Sequence, residues 1–144
     1  EQYLVALREG DKRTEYCLQC EPASWPFHLT PSVARIVFAI LQEAINNARK
    51  HAKASHIWVT LEYQPGGGEA ALLIASVRDD GRGFNLEQIE GSYDERYSFG
   101  LHNMKERTDL IDASLQIEST PGAGTIIHLA IPWQDATSPP APTP

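Results

Sequence analysis

In EAINNARKH (Glu43–His51) a carboxylate, an amide, an ammonium and an imidazole fall at spacings that a helix brings together. Glu43 and Asn47 stand four apart, Lys50 lies about a turn further, and His51 follows four after Asn47. Such a ridge can serve a base, a hard cation and a phosphate. Mg²⁺ in particular takes few protein ligands and completes its octahedron with phosphate oxygens and water. The competing reading is a solvated helix face. Against it, two adjacent asparagines are poor helix formers with no capping work in mid-helix.

A second stretch, VRDDGRGFN (Val77–Asn85), follows a strongly apolar run. It lacks the alternating acids of a calcium loop and the third glycine and helix of a dinucleotide loop. An Asp-Gly turn explains part of it but not the second glycine or the long acidic stretch behind it. Asp79 would close a strand, where a carboxylate can be held rigidly and accept from an exocyclic amine. Gly81 and Gly83 would let backbone approach a flat ligand. Asp80 is given a solvent-facing or structural part.

SFGLHNMKER (Ser98–Arg107) places Gly100 where a loop would become a helix, and free N–H groups at a helix start bind phosphate. An ordinary loop–helix junction reads the same way, and no Walker P-loop occurs. PGAGTIIHL, with Gly122, Gly124 and Thr125, reads as a turn into a strand.

The elements that must position these groups follow from period and punctuation. Glu1–Gly10 has helical spacing and a terminal glycine. TEYCLQCEP reads as a strand, and Thr30-Pro31 as an N-cap followed by proline at the first helical position. That helix is predicted to run unbroken to about Ala52, with Val37, Leu41, Ala44, Ile45 and Ala48 on one face. Glu43, Asn46, Asn47, Lys50 and His51 would share the opposite face. SHIWVTLEY and ALLIASVRD form a hairpin through PGGG; SLQIEST and TIIHLAIP form another through PGAG. Asn85–Ser98 reads as a mobile loop, with a helix from about His102 to Ile111. The expected fold class is α+β, a two-layer sandwich with helices on one face of a mixed, mostly antiparallel sheet. Residues 1–13 would be the end of an upstream helix and linker, 14–133 the domain, and 134–144 a disordered proline-rich tail.

Bulk properties bound the possibilities. The 144 residues, 42% hydrophobic and 22% charged, suit one globular domain. No run reaches the roughly 18 apolar residues of a membrane span, so no membrane contact by this domain is expected. The chain opens without methionine inside an apparent helix, so an excised segment of a longer protein is expected. A net charge of −7 disfavours nucleic acid. Cys17 and Cys20 lack the second pair a zinc site requires, and read as reduced cysteines of a cytoplasmic domain.

Taken in order, E-A-I-N-N-A-R-K-H, D-D-G-R-G-F, F-G-L-H-N-M-K-E-R and G-A-G-T resemble the ATP-binding domain of sensor histidine kinases. DNA gyrase, mismatch-repair and heat-shock-chaperone ATPases belong to the wider set. The resemblance spans about Leu29 to Pro132 and implies the fold of that set, the Bergerat type. The Glu-Ala-x-x-Asn box, short lid and G-L-x-x-M-x-E-R look like the subfamily that pairs with NarL-type response regulators. The resemblance implies that Asn47 coordinates Mg²⁺ on the ATP phosphates and that Glu43 acts as base or orients the accepting imidazole. Lys50 and His51 would contact phosphate or ribose. Asp79 would read the adenine amine, supported by Thr125 through water, with Gly81 and Gly83 bending the chain around the base. Gly100, Leu101 and His102 would offer backbone N–H groups to the phosphates behind an ATP lid.

Two departures accompany the resemblance. Asn103 stands where many relatives carry a further glycine. None of the five histidines (His28, His51, His56, His102, His128) sits in the helical His-acid setting of a phospho-acceptor. The resemblance therefore implies an upstream dimerisation domain carrying that histidine, a homodimer in the whole protein, and a response regulator as final acceptor. An anti-sigma-type serine kinase and a silent nucleotide-binding regulatory module are the rival readings.

Overall fold

In the computed structural model, residues 2–21, 29–66, 71–86 and 95–133 are described, the first four of the last segment as backbone only. Strand β1 (Glu15–Glu21) runs into helix α2 (Pro31–Asn47) and returns as β2 (His56–Gln64), parallel to it with Tyr16 opposite Ile57. β3 (Ala71–Asp79) pairs antiparallel with β2, and helix α3 (Glu95–Asp109) leads to the hairpin β4 (Ser114–Thr120) and β5 (Gly124–Trp133). β5 inserts beside β3, giving the order β1-β2-β3-β5-β4 with one parallel and three antiparallel pairings. The mixed, mostly antiparallel sheet and both hairpins agree with the sequence reading.

Period two decides which residues meet the helices. Ile57 and Val59 of β2, Leu73, Ala75 and Val77 of β3, and Ile127, Leu129 and Ile131 of β5 are buried in one core with Ile40 and Ile45 of α2 and Met104 of α3. Asp79 and Thr125 share the parity of Val77 and Ile127, so the same alternation turns both inward at the end of the core face. They sit directly opposite each other in the ladder.

α2 begins as its sequence demands. The Thr30 hydroxyl accepts from the Val33 N–H at 3.4 Å, and Pro31 takes the first turn, where no intrahelical donor is needed. The regular helix ends at Asn47 and widens into a π-helical turn over Ala48–Ala52, closed by Lys53 in the left-handed region at φ 54°. This corrects the expectation of one unbroken helix to Ala52. Three consecutive polar or charged residues, Arg49 to His51, have no core to hold them in register, while Ala48 and Ala52 stay buried. The π turn keeps both alanines inward and carries Lys50 outward to solvent.

Helix α1 (Gln2–Gly10), expected as the end of an upstream element, adds Leu4 and Leu7 to the core. Its Tyr3 hydroxyl donates to Oδ1 of Asn46 at 3.5 Å and its Arg8 binds the Tyr16 carbonyl. Asn46 therefore faces α1, not the polar ridge of Glu43 and Asn47. Helix α3 begins at Glu95, seven residues before the expected start at His102. Residues 87–94 of the expected loop and the 134–144 tail lie outside the described residues. Cys17 and Cys20 are unbonded and, three apart on a strand, face opposite sides. No helix among the described residues is long and apolar enough to cross a membrane.

Candidate functional site

The end of β3, the last turns of α2 and the start of β5 enclose a cleft. Ala44, Asn47, Ala48 and Ala52 line it from the α2 side, Val77 and Asp79 from β3, and Thr125 and Ile127 from β5. Gly83, Phe84 and Leu101 complete its rim. The small alanines leave a slot with apolar walls and three polar side chains, those of Asp79, Thr125 and Asn47. That is the form of a site for a flat molecule with a polar edge.

Asp79 is the strongest chemical feature. It is 5% exposed, and its Oδ1 accepts the Gly81 N–H at 2.8 Å. Burial pushes its carboxyl above the ordinary value; the backbone N–H groups of Gly81 and Thr125 oppose that rise and the neighbouring Asp80 charge adds to it. A desolvated carboxylate keeps acceptor capacity beyond these two N–H groups and is suited to a donor on a bound ring.

Opposite Asp79, the Thr125 hydroxyl lies 2.9 Å from the Ser119 hydroxyl. Ser119 also receives the Phe84 N–H at 2.9 Å and donates to the Gly124 carbonyl at 3.3 Å. With its one proton used there, Ser119 accepts from Thr125, which keeps the Thr125 lone pairs for the cleft. Ser119 was not singled out from the sequence. A signal existed: β4 turns Leu115, Ile117 and Ser119 toward the core, and the third is polar.

The two glycines also have a packing role beside the one expected of them. A Cβ on Gly81 would lie 2.5 Å from both Cβ and O of Ala52 and 2.8 Å from Oδ1 of Asp79. One on Gly83, whose φ is +57°, would lie 2.0 Å from the Thr120 carbonyl oxygen. The two glycines thus let the β3 exit press against the π turn and the β4–β5 turn, rather than only leaving room for a ligand. Two backbone bonds seal these contacts: Arg82 N–H to the Ala52 carbonyl at 2.8 Å and Gly122 N–H to the Arg82 carbonyl at 2.7 Å.

On the α2 ridge, Nδ2 of Asn47 is buried with no hydrogen-bond partner. Such an orphan costs about 1–3 kcal/mol unless something completes it. Glu43 stands one turn before it, and a Cβ on Gly100 would fall 2.7 Å from Glu43 Oε1 and 3.4 Å from Asn47 Nδ2. The structure brings Glu43, Asn47, Asp79, Gly83, Leu101 and Thr125 to one region, with Gly81 packed behind it. Lys50 is exposed and His51 half-buried in the π turn next to it.

Gly100, Leu101 and His102 require a correction. Because α3 starts at Glu95, their N–H groups lie inside the helix, where each is directed at the carbonyl four residues earlier. Leu101, Met104, Lys105, Glu106 and Arg107 are good helix formers, so the helix continues through the one glycine at a cost of about 1 kcal/mol. Leu101 instead reaches the cleft with its buried side chain. His102 points outward, 3.4 Å from Glu106 in an exposed pair.

Comparison with known proteins places the chain in a family. Residues 32–135 match the family described as histidine kinase-, DNA gyrase B- and HSP90-like ATPase. The chain is 39% identical over 132 residues to an uncharacterized sensor-like histidine kinase of Chloroflexus aurantiacus, covering 92% of this chain and 21% of that protein. It is 32% identical over 130 residues to the signal transduction histidine-protein kinase/phosphatase DegS of Bacillus subtilis, covering 90% of this chain and 32% of DegS. It thus spans between a fifth and a third of these relatives' lengths. The histidine kinase domain of a blue-light activated kinase from Erythrobacter litoralis shares the fold, with a TM-score of 0.66 at 21% identity over 91% of this chain and 58% of that one. The family match covers most of the chain, and the chain belongs to the histidine kinase-, DNA gyrase B- and HSP90-like ATPase family.

Proposed function

We propose that this domain binds Mg-ATP for a two-component sensor histidine kinase of the type paired with NarL-like response regulators. In the whole protein it would transfer the γ-phosphoryl group to a histidine on an upstream dimerisation domain of a cytoplasmic homodimeric core, for relay to the regulator. The observation that carries this reading is the buried carboxylate of Asp79 facing the same cleft as Asn47, whose amide nitrogen is buried without a partner.

Adenine would enter between Ala48, Ala52 and Ile127, its amine donating to Asp79 and a water bridging to Thr125. Asn47 would hold Mg²⁺ through its amide oxygen, which a rotation of the side-chain amide turns toward the cleft. When bound, the ion would supply neutralisation of negative charge on the phosphates. The donor at hand fits this role: Asn47 presents a buried amide to the cleft, and an amide oxygen is a hard ligand of the kind Mg²⁺ accepts. Glu43 would orient or deprotonate the accepting imidazole. Lys50 and His51 would meet the phosphates or ribose. Phosphate contacts from the amides of Gly100, Leu101 and His102 require α3 to open ahead of Leu101.

A titration with an ATP analogue, with and without Mg²⁺, tests the reading. Asp79→Ala should weaken binding by about 100-fold, the scale of a lost hydrogen bond to a buried charge. Asn47→Ala should remove the Mg²⁺ dependence. Unchanged behaviour of both variants would sink the proposal. With the upstream segment restored, acid-labile phosphate is expected; acid-stable phosphoserine on a separate protein would favour the serine-kinase alternative.

A further inference from the structure

Asp80, the second aspartate of the D-D-G step, has three donors converging on its carboxylate. Oδ1 accepts the Ser55 N–H at 2.8 Å and the His56 N–H at 2.9 Å, and Oδ2 accepts from His56 Nδ1 at 2.8 Å. The Asp80 N–H returns a bond to the His56 carbonyl at 3.3 Å. These groups belong to distant segments: Ser55 and His56 join the π turn of α2 to β2, whereas Asp80 is the first residue beyond β3. A third segment joins the knot at the start of β1. The Glu15 N–H donates to the Ser55 carbonyl at 2.8 Å, and the Glu15 carboxylate lies 3.6 Å from His56 Nε2.

We infer that Asp80 is a positioning residue for adenine recognition, holding Asp79 at a set distance from the α2 wall of the cleft. The inference rests on the nucleotide reading above. Asp79 and Asp80 are consecutive, so a carboxylate anchored to Ser55 and His56 locks the backbone from which Asp79 projects. The same anchor fixes the junction that follows Ala52, the cleft residue against which Gly81 packs. Without it, the wall carrying Ala48 and Ala52 and the strand end carrying Asp79 are still joined by the Arg82–Ala52 and Asp80–His56 backbone bonds and by the packing of Gly81 on Ala52, none of them a charged contact.

Desolvation pushes the Asp80 carboxyl upward, but the amide and imidazole donors of His56 and the Ser55 amide outweigh it and leave it below its ordinary value. It is therefore ionised at neutral pH, and the facing Nδ1 of His56 carries a proton. His56 in turn is braced by the Trp58 ring, stacked at 5.4 Å and 13°. Asp80 and His56 are both solvent-accessible, so water can replace the lost bonds if the carboxylate is removed. Removal should therefore loosen geometry more than it unfolds the domain.

The experiment measures affinity for the β,γ-imido analogues of ATP and GTP, with thermal melting in parallel, for wild type, Asp80→Ala and Asp80→Asn. Asp80→Ala should lose about 10-fold in ATP-analogue affinity, on the scale of one or two hydrogen bonds, and narrow the preference for adenine by a similar factor. Asp80→Asn keeps an oxygen for the two amides and should restore both to within about 3-fold of wild type. A merely structural residue would lower Tm without changing the ratio between bases, and that outcome overturns the inference, as does wild-type preference in Asp80→Ala. A wild type without adenine preference would instead overturn the nucleotide reading itself.

Discussion

Gly100 of α3 stands against Glu43 of α2 so closely that a Cβ on it would lie 2.7 Å from the Glu43 carboxylate oxygen. The helix carrying the third sequence box thus rests on the ridge formed by the first. A side chain at this glycine would act directly on the proposed base. Gly100→Ala should displace the Glu43 carboxylate while gaining about 1 kcal/mol of helix propensity. The expected result is a phosphotransfer rate about 10-fold lower or less, with ATP-analogue affinity within about 3-fold of wild type. Single-turnover labelling of protein carrying the proposed acceptor segment measures the rate, and analogue titration measures the affinity. A full rate would show that Glu43 is not held by this contact.

The buried charge of Asp79 should cost the fold stability. Its carboxyl is raised above the ordinary 3.8, chiefly by burial. The native state therefore holds this proton more tightly than the unfolded chain does. That contribution is present at low pH and is lost as pH rises through the raised value. Asp79→Asn has no such loss, so at neutral pH it should melt above wild type while failing to discriminate adenine. Melting curves from pH 4 to 8 should show the gap opening through the raised value and then staying constant.

Ser119 joins three segments through one hydroxyl: the Phe84 N–H, the Gly124 carbonyl and the Thr125 hydroxyl. Ser119→Ala leaves the Phe84 amide without this acceptor and allows Thr125 to rotate. Stability should fall by about 1 kcal/mol and ATP-analogue affinity by about 3- to 10-fold. Ser119→Thr retains the hydroxyl and should recover most of the affinity. Urea denaturation and analogue titration separate the two effects.

At Gly83 backbone, not solvent or ligand, occupies the place of a side chain. Gly83→Ala would drive Cβ to 2.0 Å from the Thr120 carbonyl oxygen at a φ of +57°. Left-handed strain alone costs about 1–2 kcal/mol, and the collision adds to it. A loss of at least about 2 kcal/mol in urea denaturation is expected. A variant as stable as wild type would mean that the β4–β5 turn can withdraw.

Much of the site was legible in the sequence because its parts are local. Thr30-Pro31 states a helix start in adjacent residues, and Glu43 and Asn47 share a side because a helix repeats every 3.6 residues. The same residue types misled where the helix period was assumed to persist. The π turn moved Lys50 outward, and Tyr3, far away in the chain, claimed Asn46. Gly100 reads locally as a helix boundary, yet α3 runs through it from Glu95, because one glycine costs a helix too little to end it.

By itself, then, the sequence determined the order of strands and helices, the ridge on α2 and the placing of an acid at the end of β3. Periods of two and 3.6 residues encode those over a few neighbours. Only the tertiary structure decided that Asp79 stands opposite Thr125, that Gly81 and Gly83 are filled by Ala52 and Thr120, and that Asp80 ties two segments together. These are contacts between residues 24 to 46 positions apart, such as His56 with Asp80 and Asp79 with Thr125. Their geometry is set by strand insertion and close packing across the sheet, which no local spacing records.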